Sequence, residues 1–251
     1  MFLGVLAASP ETRRQSPRDL WLASYPRSGN TFLRVVLHSV FGVPTYSVYD
    51  DDDPVAQRVG PDLVGYRPKP RGRAEMIDSD DVYFVKTHKR RKVDGCPAIC
   101  LVRDGRDAVV SRARLRCEDH QADHTEPLFD RLLREEITRP YVDGQPSSGT
   151  WGANVMSWLD HVGVPPVVIK YEDLIADPGA TVQRAVSSLR PELVPIADAR
   201  IPSFAELHDI DSGFFRRGVT GSYRDEMSDA LHTLFWAQPE NAAAMRQLGY
   251  G

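Results

Sequence analysis

Four short apolar runs punctuate the chain, and three of them lead into a stretch of helical period. Leu20-Trp21-Leu22-Ala23-Ser24-Tyr25 has the length and composition of a buried strand. It stops at Pro26, and Ser28-Gly29-Asn30-Thr31 opens a helix whose apolar positions are Phe32, Leu33, Val36, Leu37 and Val40. Val82-Tyr83-Phe84-Val85 predicts a second strand that runs into Lys86-Thr87-His88. Ala98-Ile99-Cys100-Leu101-Val102 predicts a third, followed by Arg103-Asp104 and a helix from Asp107 to Arg116. Val167-Val168-Ile169-Lys170-Tyr171 predicts a fourth, followed by a helix over about 178–190. Further helices are expected over 126–139, 150–162 and 226–247. Trp151 and Trp158, seven residues apart, fall on one helical face and are expected in the core.

Strand, polar turn and helix in this order predict an α/β domain with a central parallel sheet flanked by helices. Residues 1–18, with Pro10 and Pro17, read as a loosely ordered leader, and 19–251 as one domain. Residues 44–81 show no clear period and read as a long connection, a frequent form of functional lid.

Composition narrows the function. The 251 residues suffice for one sizeable core, and 26% charged with 41% hydrophobic residues is ordinary for a globular protein. The net charge of −4 argues against a nucleic-acid binder, so any anion site must rest on local basic clusters. Cys96, Cys100 and Cys117 give neither a disulfide framework nor a four-ligand zinc pattern. Met1–Ala8 is apolar but short, and Arg13 and Arg14 follow it where a secretory signal would have none. No transmembrane segment is expected, and the cytoplasm is the expected compartment. Asp50-Asp51-Asp52-Asp53 reads as a solvated acidic run, not a metal site.

In an open parallel sheet, ligands sit at the carboxyl ends of the strands, where the chemistry-bearing residues of this chain fall. Arg27-Ser28-Gly29-Asn30-Thr31 leads into a helix N-terminus, which offers free N–H groups to an anion. The same residue types cap helices, so this segment alone leaves both readings open. It is not a Walker A loop. Lys86 and His88 supply a cation and a base suited to neutral pH, although a lone His after a strand is more often structural. Arg103 closes a strand, and Ser111 lies about two turns into the next helix; both can reach one phosphate. Arg216-Arg217-Gly218, with Gly221 beyond, reads as an anion clamp or an exposed basic loop.

Taken in order, these segments resemble the sulfotransferase family that uses 3′-phosphoadenosine-5′-phosphosulfate (PAPS). The similarity spans about residues 20–225. Tyr25-Pro26-Arg27-Ser28-Gly29-Asn30-Thr31-Phe32 is similar to the family's loop for the 5′-phosphosulfate. Lys86-Thr87-His88 resembles its catalytic segment, and Arg103 through Ser111 its 3′-phosphate motif. Tyr171-Glu172-Asp173-Leu174 matches a segment whose tyrosine lies near the adenine, and Arg216-Arg217-Gly218 resembles the clamp over the 3′-phosphate. The resemblance implies a P-loop-kinase-like sulfotransferase fold, with PAPS as donor, no metal, and a small-molecule acceptor carrying a hydroxyl or amine. His88 is then the general base, with Lys86 and Arg27 stabilising charge.

Several residues depart from the family pattern. Arg27 stands where many cytosolic members carry lysine, Asn30 replaces a threonine, and Phe32 replaces a tryptophan that it can match in stacking on adenine. The loop's form resembles bacterial members, some of which tailor natural products. The dimer motif of animal members is not recognisable near the C-terminus, and the sequence names no acceptor. Two other classes remain open: a P-loop-like ATP-dependent kinase, and a non-catalytic nucleotide- or carbohydrate-binding protein.

Overall fold

The first strand, β1 (Asp19–Ser24), is apolar from Leu20 to Ala23 because both of its faces are covered. Leu20 and Leu22 project to one side, Trp21 and Ala23 to the other. The structure is a computed structural model that describes residues 19–49, 53–69, 82–91, 95–119, 126–138, 148–160, 163–216 and 218–251. The leader at 1–18 lies outside the described residues.

β1 is the central strand of a five-stranded sheet whose other members are β2 (Thr45–Ser47), β3 (Tyr83–Thr87), β4 (Ala98–Val102) and β5 (Val167–Lys170). Their order is β2-β3-β1-β4-β5, and every pairing is parallel. All five strands therefore end at the same edge. In register, Ala23 of β1 lies beside Thr87 of β3, and Ser24 beside Leu101 of β4. The chain leaves β1 and returns to β3 on one side and β4 on the other, which opens a crevice at the carboxyl end of β1.

Helix α1 (Asn30–Phe41) places Leu33, Val36, Leu37 and Val40 on the face of the sheet that carries Leu20, Leu22, Phe84, Ile99 and Leu101. Each such side chain contributes about 1.5–3 kcal/mol by leaving water. Helices α3 (Gly105–Asp119), α4 (Glu126–Thr138) and α5 (Trp151–Leu159) cover the opposite face, where Trp151 and Trp158 are core residues as expected. After β5 come α6 (Tyr171–Ala176) and α7 (Pro178–Leu189), the latter packed on α1.

Three elements differ from expectation. The connection after α1 contains β2 and a short helix, α2 (Pro54–Val59), that begins at an Asp53 cap with Pro at the first turn. A three-residue strand is too short to show a period, which is why this region reads as structureless. Helix α8 (Phe204–Ile210) starts with a capping box between Ser203 and Glu206, a signal present in the sequence. After a one-turn helix, α9 (Tyr223–Glu226), the stretch expected as one helix over 226–247 is two: α10 (Asp229–Ala237) and α11 (Pro239–Leu248). The Ser228 cap and Pro239 make the breaks, since proline cannot donate to a helix already under way. Cys96, Cys100 and Cys117 are buried and form no disulfide. Among the described residues no helix is long and apolar enough to cross a membrane.

Candidate active site

The turn from β1 to α1 bends sharply. Arg27 holds a positive φ of 66°, uncommon for a residue with a side chain, and Gly29 follows at 101°. A Cβ on Gly29 would fall 2.7 Å from the Tyr171 ring, so glycine is required there both for the dihedral and for the approach of the ring. Gly29 caps α1 with no side-chain bond, and the first backbone bond of the helix runs from Leu33 N–H to Gly29 C=O. The N–H groups of Asn30, Thr31 and Phe32 have no acceptor within the helix, so this end of α1 presents the donors by which helix N-termini attract anions. The Ser28 hydroxyl in the same turn is buried without a hydrogen-bond partner. Asn30 differs from expectation: its amide donates to Leu22 C=O (2.9 Å) and Ser24 Oγ (3.2 Å), so it offers a ligand its backbone N–H and not its side-chain donors. Phe32 is half-buried against both the α1 core and the cluster around Val35 and Leu207.

Beside this turn, at the end of β3, the His88 Nδ1 lies 2.9 Å from Ser24 C=O. A carbonyl can only accept, so Nδ1 carries the proton and Nε2 keeps a free lone pair. Ser24 Oγ, 3.2 Å from the same nitrogen, joins His88 to Asn30. The His88 backbone is fixed as well: its N–H donates to the Tyr49 hydroxyl (3.0 Å), and its C=O accepts from Asn154 Nδ2 (2.8 Å). Burial, followed by the Lys86 cation, pushes the His88 pKa down to about 3, so the ring is neutral at physiological pH. The Lys86 ammonium lies 3.1 and 3.3 Å from the two carboxylate oxygens of Asp53.

Arg103, just beyond β4, donates to Arg27 C=O (3.3 Å) and Val219 C=O (3.0 Å), and its guanidinium sits 4.6 Å from the centre of the Tyr171 ring. Its Nε is buried without a partner. The Arg27 guanidinium reaches Ser111 Oγ (3.2 Å) and Phe214 C=O (2.7 Å) and lies over the Phe214 ring. Burial and the nearby Arg103 cation bring the Arg27 pKa down to about 10. Arg27, Arg103, Ser111 and Tyr171 thus meet at the ends of β1, β4 and β5, next to the α1 N-terminus. Arg216 is turned aside: it forms a two-pronged pair with Glu226 (2.8 and 3.2 Å), which also holds Arg114. Gly218 adopts a φ of 61° against Phe204, and Arg217 lies outside the described residues.

The sulfotransferase domain family matches residues 17–190 of this sequence. The chain belongs to that family. It is similar to flavonol 3-sulfotransferase of Flaveria bidentis, with 21% identity over 92% of this chain and 83% of the relative. It is similar also to sulfotransferase 1E1 of Rattus norvegicus, with 24% identity over 90% and 83%. Among solved structures it shares its fold with mouse sulfotransferase SULT7A1 complexed with PAP, at a TM-score of 0.63 and 17% identity over 95% of this chain and 91% of that one. A retinol dehydratase in complex with androsterone and inactive cofactor PAP gives a TM-score of 0.56 at 19% identity, over 92% and 81%. The fold is therefore the P-loop-kinase-like sulfotransferase fold, and the protein is an enzyme of sulfate transfer.

The sulfotransferase site contains residues that motif reading missed. Ser24 fixes the His88 ring and was read only as the tail of a strand. Asp107, fully buried in the first turn of α3, accepts from Gly221 N–H (2.7 Å), Ser222 Oγ (3.2 Å) and Tyr223 N–H (2.9 Å) and lies 3.7 Å from Arg103. It ties the segment after Gly218 to the Arg103 turn. Asp53 corrects the expectation of a solvated acidic run: it is 0% exposed and paired with Lys86 and Arg34, while Asp50–Asp52 lie outside the described residues. The Asp-Pro start of α2 signalled the cap; nothing local signalled the pairing. Among the described residues no group of three or more His, Cys, Asp or Glu could hold a metal ion.

Proposed function

We propose that this sulfotransferase moves a sulfuryl group from PAPS to a hydroxyl or amine of a small-molecule acceptor by in-line displacement, with His88 as general base. The observation that carries this reading is the meeting, at one strand edge, of a neutral imidazole with a free Nε2 and an uncapped helix N-terminus flanked by buried cations. The buried and unpartnered Ser28 hydroxyl and Arg103 Nε fit an anionic ligand, since each lacks a bond that a phosphate oxygen supplies.

In this reading the turn Arg27-Ser28-Gly29-Asn30-Thr31 holds the 5′-phosphosulfate through backbone N–H groups, and Phe32 and Tyr171 border the adenine. Arg103 and Ser111 hold the 3′-phosphate, with Arg216, Arg217 and Gly218 closing over it; Arg216 must exchange its Glu226 pair to do so. As the acceptor oxygen bonds to sulfur, its proton passes to His88 Nε2, and the bond from sulfur to the phosphate oxygen breaks. Lys86 and Arg27 stabilise the charge that develops on the transferring group and on the departing phosphate. A negatively charged donor beside His88 raises the pKa of the ring and strengthens it as a base. The aligned solved structures bound to PAP support the donor class. Three buried cysteines that form no disulfide support action in a reducing compartment such as the cytoplasm. The resemblance of the Pro26–Phe32 loop to bacterial members is the ground for including natural-product tailoring in this proposal.

Titration calorimetry of the metal-free protein with 3′,5′-adenosine bisphosphate, beside ATP with Mg²⁺, tests the reading. The bisphosphate is expected to bind in the micromolar range and ATP only weakly. The variant His88→Ala is expected to keep that affinity while its turnover falls by roughly 10²–10⁴-fold. Preference for ATP–Mg²⁺ would move the protein to the kinase class, and full turnover by His88→Ala would remove His88 from the mechanism.

A further inference from the structure

We infer that Asp53 is a positioning residue for Lys86: its carboxylate fixes the ammonium beneath the active-site floor and supplies the counter-charge that burial would otherwise deny it. The inference rests on the role proposed above for Lys86.

The geometry is that of a three-way junction. Asp53 is fully buried and receives Lys86 Nζ on both oxygens (3.1 and 3.3 Å) and Arg34 Nη1 on one (2.7 Å). Its own position is fixed by the N–H groups of Val55 and Ala56, at 3.1 and 3.4 Å, because it caps α2. Arg34, also fully buried, is held in turn by Thr45 Oγ1 (3.0 Å), whose hydroxyl donates to Val64 C=O (2.7 Å). One carboxylate thus links α1, β2, α2 and β3, and Lys86 hangs from it two residues before His88.

Lys86 is 5% exposed, and an ammonium so buried loses its proton unless a charge opposes the loss. The groups facing it can be sorted by sign. Burial favours the neutral amine, and so does the Arg34 cation. The Tyr49 ring, 5.9 Å from Nζ, offers a weak attraction to the cation. Asp53 is the group that favours the ammonium through both charge and hydrogen bonds. Without it, Lys86 and Arg34 are two like charges in a dry site, and lysine is the one able to discharge. A neutral Lys86 cannot stabilise a sulfuryl group. The carboxylate also takes up donors of Nζ on the side of α2, which leaves the ammonium oriented rather than mobile.

The test follows Lys86 itself. Lysines carrying ¹³C at Cε are titrated by NMR, with the Lys86 signal assigned by its loss in Lys86→Met, in the wild type, in Asp53→Asn and in Arg34→Met/Asp53→Asn. The double variant keeps the experiment decisive if the single one does not fold, since it removes the second buried cation together with the carboxylate. Lys86 is expected to titrate lower by about one pH unit or more in the single variant, and measurably lower in the double variant. Binding of 3′,5′-adenosine bisphosphate is measured on the same samples. If the wild type binds the bisphosphate but the Lys86 midpoint is the same with and without Asp53, the inference fails alone. If the wild type does not bind it, the donor assignment fails, whatever the midpoint does.

Discussion

Lys86 and Arg34 share one carboxylate, whereas Arg27, in the turn after β1, donates only to neutral acceptors, Ser111 Oγ and Phe214 C=O. Lys86, Arg34 and Arg103 are buried and Arg27 is half-buried, and both clusters crowd cations together. In the first, Asp53 supplies the anion that offsets the desolvation of both cations, although Arg34 keeps a buried Nη2 without a partner. In the second, the field of Arg103 adds to burial and lowers the Arg27 pKa to about 10, and Arg103 keeps an unpartnered Nε. Arg103 has Asp107 at 3.7 Å, but Arg27 has no carboxylate partner among the described residues. A desolvated cation without its anion is held at a free-energy disadvantage that a ligand can remove. The carboxylate-paired cluster suits a framework, and the Arg27 cluster suits the anion site proposed above.

Two substitutions break this contrast from opposite ends, and a third sharpens it. The largest effect is expected for Asp53→Ala, which leaves two uncompensated charges in the interior; denaturant unfolding should show a loss of about 3–5 kcal/mol. A loss below about 1 kcal/mol would mean that water already solvates Lys86 and Arg34. Arg27→Met should do the reverse. Removing a cation that has no carboxylate should change the stability of the free protein by less than about 1 kcal/mol, while affinity for 3′,5′-adenosine bisphosphate falls roughly 10–100-fold. Calorimetry and thermal unfolding of the same preparation read both quantities. The smallest effect is expected for Ser111→Ala, which removes one hydroxyl acceptor 3.2 Å from Arg27 Nε and should shift affinity by about 1 kcal/mol or less. A Ser111 effect as large as that of Arg27 would make the hydroxyl, and not the guanidinium, the main phosphate contact.

Much of the site could be read in advance because its parts are local. The turn from Arg27 to Thr31 is contiguous, its glycine is demanded by a positive φ, and its helix follows at once with an apolar face. Lys86 and His88 sit two residues apart at a strand end, and Arg103 closes the next strand. Where local signals were weak, the reading lost detail. β2 has three residues and no measurable period, and α10 and α11 merge into one helical stretch unless the proline between them is given weight.

The strand–turn–helix units, the glycine turn before α1, and the cations and histidine at the strand ends were all legible along the chain. Each is written within a dozen consecutive residues, where dihedral preference and periodicity act. The tertiary structure alone decided which charges are cancelled. Asp53 meets Lys86 from 33 positions away and Arg34 from 19, Asp107 meets Tyr223 from 116, and Tyr25 donates to Glu136 across 111. Strand order sets these distances, and burial sets their strength. The same lysine or arginine is framework or ligand according to whether the fold has brought it a carboxylate.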